Sequence, residues 1–411
     1  MGAEEEPGSW AQKGLALIGS AVVIVFAAGV ALYAFLASMA MPLHPNPADV
    51  PSVRHTTPLQ EWAAAVEQGR QLARAGLVHQ NLPGLSVAVG VGGDIVWAEG
   101  FGWADLEKQV PVAPNMRFRV GHASKALTSA AVGLLLEKGL LDLDDEIQTY
   151  VPAFPEKQWP VTLRQLMGHV AGVRHYDNEE DYMPSAHCQR ASEGLPRFAE
   201  DPLRFQPETQ SAYSTFGWIL VSAAVEAAAN EPFFTFMRTR IFQPLNMRET
   251  TTDSVTENIP NRATFYYPRL SGDPAYGPEL ATSVDYSCFA GAGGFLSTPS
   301  DLVRFGMAVS SGTLLQPATV SMLQAPQQLL SGARTEYGLG WTVETFPLAG
   351  EPTRLASHAS RTLLGGSTSF MTFPERGIVV AVMSNTSFAA LRATALNIAQ
   401  AFAERKSPQG K

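Results

Sequence analysis

A long uncharged run near the N-terminus limits what this chain can fold into. From Gly14 to Met41 the sequence contains no Asp, Glu, Lys or Arg and has no polar face. About 20 apolar residues cross the hydrocarbon core of a bilayer as a helix, so this run is long enough to span it with tilt. A cleaved signal peptide has a basic start and a shorter apolar core, whereas this chain begins with an acidic segment. We therefore predict one transmembrane helix that anchors the protein.

The residues after this run divide into a spacer and one folded unit. Prolines recur from Pro42 to Pro58, and proline favours extended polyproline II over helix. This stretch is predicted to be a stiff tether that holds the domain off the bilayer. The rest of the chain is long enough for one large globular domain. The predicted parts are a tail, a transmembrane helix, a Pro-rich tether and a folded domain, at residues 1–13, 14–41, 42–58 and 59–411.

Composition excludes several classes of function. The formal net charge is −9, and no basic stripe is present to offset phosphate charge, so nucleic-acid binding is not expected. Neither a Cys-x-x-Cys pair nor a histidine-rich cluster suggests a metal site, and no cofactor is expected. Cys188 and Cys288 form either two buried thiols or one disulfide. The first is favoured because cysteine is often buried.

The pattern of elements predicts an α/β (α+β) fold. Residues 85–103 alternate and break at Gly92-Gly93-Asp94, which is typical of a hairpin turn. A second hairpin is predicted within 370–383, followed by a C-terminal helix. Strands at both ends with helices between them indicate a central antiparallel sheet with flanking helices and a helical lobe. A ligand site is expected in the cleft between the lobes.

The segment 118–125, Phe-Arg-Val-Gly-His-Ala-Ser-Lys, is the most informative motif of the domain. It resembles the Ser-x-x-Lys turn of serine β-lactamases and penicillin-binding proteins, in which serine and lysine lie one helical turn apart. Lys125 stands at the place of the lysine, and His122 stands at the place of the serine. Ser124 cannot substitute, because adjacent residues on a helix point about 100° apart.

Further segments extend this resemblance over most of the domain, from about Leu82 to Ala403. On them the chain is identified as a member of the serine β-lactamase-like family, which includes class C β-lactamases and low-molecular-weight penicillin-binding proteins. The mitochondrial branch is the most similar. The resemblance implies the β-lactamase/transpeptidase-like fold. The resembling segments are 118–129, 161–176, 201–218, 261–267, 291–306, 337–341 and 357–360.

The resemblance also implies four site positions. His122 occupies the nucleophile position and Lys125 that of the lysine base. Tyr213 corresponds to the second-motif tyrosine. His358 corresponds to the first residue of the third motif, and an ordinary hydrogen-bonded strand histidine is an equally good reading of it. His169 and His175 lie near loop signals, so structural or solvated roles are expected for them.

The third motif departs from the family at a second point. Relatives carry a glycine there, which lets a ligand approach the backbone, and the N–H just beyond it completes an oxyanion hole. Here Ser360 replaces the glycine, and Arg361 and a short insertion precede Gly365. These side chains are expected to crowd the approach, which also indicates lost chemistry.

Three hypotheses follow from the missing serine. Loss of the nucleophile lowered turnover on the order of 10⁶-fold in one serine protease, which favours a catalytically inactive scaffold or accessory subunit. Alternatively the domain is an esterase or peptidase of altered chemistry that uses His122 with Lys125 and Tyr213, since imidazole can act as a nucleophile. The third hypothesis is that His122 lines a non-catalytic ligand pocket.

Location and partners are implied by the resemblance and the predicted anchor. The family favours the mitochondrial inner membrane with the domain in the intermembrane space, and a bacterial inner membrane facing the periplasm is the alternative. The absence of an Arg-rich presequence weakens the mitochondrial option. Expected partners are the membrane, through the N-terminal helix, and either other subunits of a membrane complex or further copies of the chain.

Overall fold

The computed structural model describes residues 8–183, 186–361 and 365–406. Part of the predicted tail and the predicted insertion before Gly365 fall outside these ranges, and the side chain of Arg361 is also not described. The first helix contains Leu17–Ser38, which is long and apolar enough to cross a membrane. A membrane anchor and a signal sequence both have this length and composition.

Strands and helices follow the order predicted from the sequence. The strands are β1 Ser52–Arg54, β2 Gly84–Val91, β3 Asp94–Asp105, β4 Val110–Pro111, β5 Phe118–Arg119, β6 Thr251–Thr252, β7 Tyr266–Pro268, β8 Pro278–Leu280, β9 Phe295–Ser297, β10 Thr342–Leu348, β11 Glu351–Arg361, β12 Ser367–Phe373 and β13 Ile378–Ser384. The helices are α1 Gly8–Ser38, α2 Ala63–His79, α3 Ser124–Glu137, α4 Leu163–Met167, α5 Glu179–Tyr182, α6 Phe216–Ala229, α7 Phe233–Met237, α8 Arg269–Gly272, α9 Pro299–Ser310, α10 Pro317–Leu323 and α11 Leu391–Lys406.

An antiparallel sheet forms the centre of the domain. Within the described ranges its order is β1-β3-β2-β13-β12-β11-β10, with β4 paired to β3. The two predicted hairpins are β2–β3 and β12–β13, and β13 joins them by pairing with β2. Strand β13 is buried along its whole length, which explains why its β-branched residues read as a continuous apolar run.

Helices cover both faces of the sheet. Helices α2 and α11 pack on one face, where Phe402 stacks on Trp97 at 6.1 Å and on Trp62 at 5.8 Å between ring centroids. Helix α9 packs on the other face, and the Thr298 side chain accepts the Asp301 N–H at its start, as the sequence predicts. The helical lobe, which includes α3, α4 and α6, adjoins this second face. The predicted fold is confirmed.

The proline-rich stretch is not a free tether, which moves the predicted domain boundary. Val50 is buried, and β1 pairs with β3 at the edge of the sheet. His44 is also buried, with its Nε2 3.3 Å from the Pro83 carbonyl. Because β1 takes its backbone hydrogen bonds from β3, this stretch is part of the folded domain. The domain therefore begins close to the end of α1 rather than near Leu59.

The two cysteines form a disulfide, so the expectation of free buried thiols is wrong. Cys188 and Cys288 are bonded across a sequence separation of 100 residues. The bond joins a loop of the helical lobe to the turn Ser287–Ala292. That turn contributes a backbone carbonyl to the site described next.

Candidate active site

His122 and Lys125 lie where β5 passes into α3. The Val120 N–H donates to the Phe295 carbonyl, and a single 3₁₀ turn, Gly121–Ala123, then leads into α3. Gly121 has φ of +55°, a left-handed conformation that glycine adopts at no steric cost. The turn leaves His122 half-buried and places Lys125 inside the domain with 0% exposure.

The Lys125 amine is hydrogen bonded to the second motif. Its Nζ donates to the Tyr213 hydroxyl at 2.7 Å and to the Ala292 carbonyl at 3.1 Å. Burial holds the pKa of Lys125 well below its usual value. Among the described residues no serine or threonine hydroxyl is hydrogen bonded to this amine, and the Ser124 hydroxyl is buried without a partner. Ser124 therefore does not replace the missing nucleophile.

Tyr213 stands over the lysine and is partly exposed. Its ring centroid lies 4.8 Å from the Lys125 Nζ and 5.4 Å from the His122 ring. The residue is 37% exposed, its hydroxyl is bonded to the buried Lys125 amine, and burial raises the pKa of Tyr213 well above its usual value. The phenols of Tyr337 and Tyr176 raise it further. Tyr213 is therefore a neutral phenol at physiological pH.

Two further histidines hold the second motif in place, His169 buried and His175 half-buried. The Ser214 N–H donates to His169 Nδ1 at 3.1 Å, and the Thr215 N–H donates to His175 Nδ1 at 3.3 Å. An imidazole that accepts at Nδ1 carries its proton on Nε2 and is neutral. Burial lowers the pKa of His169 well below its usual value and that of His175 to about 4.

These two histidines were not predicted to form part of the site. His169 is 5% exposed, and its ring lies 4.4 Å from that of Tyr213 and 4.7 Å from that of Tyr337, centroid to centroid. The sequence contained no local signal for this burial, because the covering residues lie far along the chain. Both histidines therefore position the residues that precede α6.

The His122 imidazole lies in the same group of side chains. Its Nε2 is 3.5 Å from the Thr215 hydroxyl. Burial, followed by the charge of Lys125 and by the neighbouring His358, lowers the pKa of His122 well below its usual value. The imidazole is therefore neutral at physiological pH.

The Ser360 side chain accepts a hydrogen bond from the backbone N–H at the nucleophile position. The His122 N–H donates to the Ser360 hydroxyl at 2.9 Å, and Ser360 is 2% exposed. In acyl-transfer sites the N–H of the nucleophilic residue is one of the donors that hold the oxyanion. A serine side chain already occupies this donor. The sequence predicted crowding at this position and not this contact.

His358 lies on β11 and is 4% exposed. Its Nδ1 is 3.1 Å from the Ala359 carbonyl, and its Nε2 is 3.1 Å from the Tyr337 hydroxyl. Because a carbonyl only accepts, Nδ1 carries the proton, and Nε2 accepts from the tyrosine. Burial, with the charge of Lys125, lowers the pKa of His358 to about 3.

The structure thus brings together all four residues that the sequence singled out. It adds His169, His175, Thr215, Tyr337 and Ser360. Within the described part of the chain, no group of three or more His, Cys, Asp or Glu is placed to hold a metal ion. The cluster is therefore a set of neutral side chains around a buried amine whose hydroxyl partner is a tyrosine, and no serine or threonine of the described ranges is hydrogen bonded to it.

Comparison with known proteins agrees with this architecture. The human serine beta-lactamase-like protein LACTB, mitochondrial, is 30% identical, with 84% of this chain and 81% of the relative covered. Its counterpart from Bos taurus is 29% identical over 87% of this chain and 82% of the relative. The crystal structure of D-amino acid amidase from Ochrobactrum anthropi has a TM-score of 0.68 at 22% identity, over 83% of this chain and 97% of that one.

The family model described as Beta-lactamase matches residues 63–404. The match runs from α2 to α11, leaves out only β1 of the described central sheet, and includes every site residue described above. The chain therefore belongs to the beta-lactamase family.

Proposed function

We propose that this domain is a catalytically inactive member of its family, held at a membrane by α1 and serving as a scaffold or accessory subunit. The observation that carries the proposal is the contact between the His122 N–H and the Ser360 hydroxyl at 2.9 Å. It accompanies the loss of the serine, so the nucleophile and one oxyanion donor are missing from the same corner of the site.

The magnitudes of these two losses support inactivity. Removal of a nucleophile lowers turnover on the order of 10⁶-fold, and removal of one oxyanion donor lowers it about 10²–10³-fold. The remaining Lys125 and Tyr213 can move a proton, but in the described part of the chain no serine or threonine hydroxyl is hydrogen bonded to the amine. A base without a nucleophile to activate contributes little to acyl transfer.

The test uses the full chain in mild detergent with nitrocefin, p-nitrophenyl butyrate and a peptide substrate. Turnover and covalent adducts, the latter by intact mass, are compared between the native chain, His122→Ala and Lys125→Met. We expect all three proteins to be equally inert. Robust turnover by the native chain that is lost in Lys125→Met overturns the proposal.

The second candidate is a hydrolase in which His122 is the nucleophile, and the neutral state of its imidazole favours it. Attack by an imidazole nitrogen on an ester carbonyl would release the alcohol and form an acyl-imidazole, which water then hydrolyses. Ester hydrolysis that disappears in His122→Ala, with a folded protein and an acyl adduct on His122, would establish this chemistry in place of inactivity.

The cellular compartment is proposed from two observations, the disulfide and the names of the similar proteins. Disulfides persist in oxidising compartments, and the similar proteins are named mitochondrial. We place the anchor in the mitochondrial inner membrane with the domain in the intermembrane space, and the bacterial periplasm is the alternative. Resistance to alkaline extraction with an intact N-terminus would support the anchor, whereas a mature chain that starts after Ser38 would indicate a cleaved signal.

Partners are proposed to be either subunits of a membrane complex or further copies of this chain. Purification from native membranes in mild detergent, followed by native electrophoresis, separates the two. Migration with a large complex of other proteins supports an accessory role, and a homo-oligomer supports self-assembly. A monomer that hydrolyses substrate would favour an enzyme.

A further inference from the structure

The chain enters the domain directly after the apolar helix. Helix α1 ends at Ser38, and the Met41 N–H donates to the Ala275 carbonyl at 3.1 Å. Three residues of extended chain reach about 10 Å at most, and the headgroup layer on each side of a bilayer is roughly 5–7 Å thick. If α1 spans a membrane, as proposed above, Ala275 lies at or just outside the lipid headgroups.

One side chain fixes this connection. The Asn81 Nδ2 donates to the carbonyls of Met41 at 2.8 Å and Pro274 at 2.9 Å. Its Oδ1 accepts the Leu43 N–H at 2.7 Å. The chain is therefore fixed to the domain from Met41 onward, and only residues 39 and 40 separate this point from the end of α1.

The part of the domain beside Met41 is the hairpin formed by β7 and β8, residues 266–280. We name it the interfacial hairpin. It exposes two large apolar side chains, Leu270 at 46% and Leu280 at 68%, and Met41 beside it is 50% exposed. Arg269 and Glu279 form an ion pair at 3.3 Å on the same hairpin. Apolar side chains accompanied by charged ones are typical of protein segments that lie in the headgroup layer.

The interfacial hairpin is braced against the domain. The Tyr266 hydroxyl accepts the Leu106 N–H at 2.8 Å, and the Tyr266 N–H donates to the Asn385 carbonyl at 2.9 Å. The preceding residue, Phe265, lies under the Arg119 guanidinium at 4.2 Å from the ring centroid. Arg119 is on β5, just before the turn that carries His122. The hairpin and the candidate site are therefore linked through the contact between Phe265 and Arg119.

We propose that the interfacial hairpin inserts Leu270 and Leu280 into the headgroup layer and seats the domain on the bilayer. The occupant of this surface is the lipid itself, because the proposed span ends beside it and only two residues separate α1 from the fixed Met41. The proposal rests on the anchor proposed above and is independent of whether the site is catalytic.

The test places a fluorophore on the full chain in phosphatidylcholine vesicles. Within the described ranges the native chain has no free cysteine, so Leu280→Cys provides a thiol for an environment-sensitive probe. Leu330→Cys on the helical lobe is the matched control, since Leu330 is 65% exposed. Leu270→Cys and Leu140→Cys form a second pair, at 46% and 49% exposure. Phe26→Cys reports on the span itself.

We expect the probes at 270 and 280 to emit at shorter wavelength and to be quenched several-fold more by headgroup-level nitroxide lipids than those at 140 and 330. Equal quenching within both pairs, with the probe at 26 quenched by nitroxides placed deep in the acyl chains, overturns the seating and leaves the anchor intact. Failure of the chain to float with vesicles overturns both. Two leucine pairs guard against the misfolding of any one variant.

Discussion

The two halves of the candidate site differ in what they retain. The lysine half, made of Lys125, Tyr213 and the Ala292 carbonyl, has hydrogen bonds of 2.7 and 3.1 Å in the arrangement that proton transfer requires. The histidine half, made of His122 and Ser360, has an imidazole at the nucleophile position and a hydroxyl on the oxyanion donor. The lysine half keeps the residue types that the family resemblance implies, and the histidine half does not.

Folding explains this difference. A buried polar group without partners costs about 1–3 kcal/mol, and a charged one costs more. Lys125 is 0% exposed, so losing Tyr213 or the Ala292 carbonyl would destabilise the domain whether or not it catalyses a reaction. His122 is half-buried, and its replacement of serine leaves no buried amine unpaired. Retention of the lysine half is therefore weak support for activity.

The largest expected effect is the restoration of chemistry in the histidine half. His122→Ser places a hydroxyl one helical turn from Lys125, and Ser360→Gly frees the His122 N–H position. We expect the double variant to react with a fluorophosphonate probe about 10²–10³-fold faster than His122→Ser alone, the contribution of one oxyanion donor. Labelling rates followed by intact mass give the comparison.

Two controls make this prediction specific. Ser360→Gly alone is expected to remain unlabelled because it lacks the hydroxyl. Adding Lys125→Met to the double variant is expected to abolish labelling because the base is gone. Equal rates for His122→Ser and the double variant would show that Ser360 does not block the donor.

Local patterns in the sequence predicted the parts of the molecule that local interactions decide. The Thr298 cap, the turn at Gly92-Gly93 and the face shared by His122 and Lys125 depend on residues a few positions apart. They appear in the structure as expected.

The features that the sequence did not reveal depend on distant partners. The Ser360 hydroxyl meets the His122 N–H over a separation of 238 residues, and the disulfide closes a loop of 100. Strand β1 forms because β3, further along the chain at Asp94–Asp105, supplies its hydrogen bonds. The proline-rich sequence around β1 therefore gave no local sign of a strand. His169 looked like a loop residue because Ser214 and Tyr337, which bury it, lie far along the chain.

The disulfide gives the second largest effect, on the lysine half. It fixes the turn Ser287–Ala292, whose last carbonyl binds Lys125. Replacing both cysteines, Cys188→Ser with Cys288→Ser, is expected to lower the free energy of unfolding by about 2–5 kcal/mol. Urea denaturation measures the change, and the reduced native chain should match the double variant. A change below about 1 kcal/mol would mean that the turn is held by packing alone.

The histidines beneath Tyr213 predict a pH dependence. His175 accepts a backbone N–H just before α6, where a positive charge is unfavourable, and burial lowers its pKa to about 4. Between the unfolded pKa near 6.5 and this value the unfolded chain binds more protons, so stability is lost as pH falls through that window.

His175→Gln is expected to reduce the slope of unfolding free energy against pH in this window. The reduction corresponds to at most one bound proton. The glutamine amide oxygen can accept the same N–H without titrating. His79→Gln on the exposed end of α2 controls for the number of histidines. An unchanged slope in His175→Gln would show that its protonation does not open the second motif.

The smallest effect concerns strain in the lysine half. Ala290 has φ of 44° and ψ of −128° inside the turn that carries Ala292, a conformation that costs a non-glycine residue about 1–3 kcal/mol. Glycine removes that strain and loses about 0.5–1 kcal/mol of backbone entropy, so Ala290→Gly is expected to stabilise the domain by about 1 kcal/mol. Ala292→Gly in the same turn keeps the carbonyl on Lys125 and is expected to destabilise. If Ala290→Gly destabilises as much as Ala292→Gly in urea, the turn holds no strain, and the geometry around Lys125 is maintained by the disulfide and the buried hydrogen bonds.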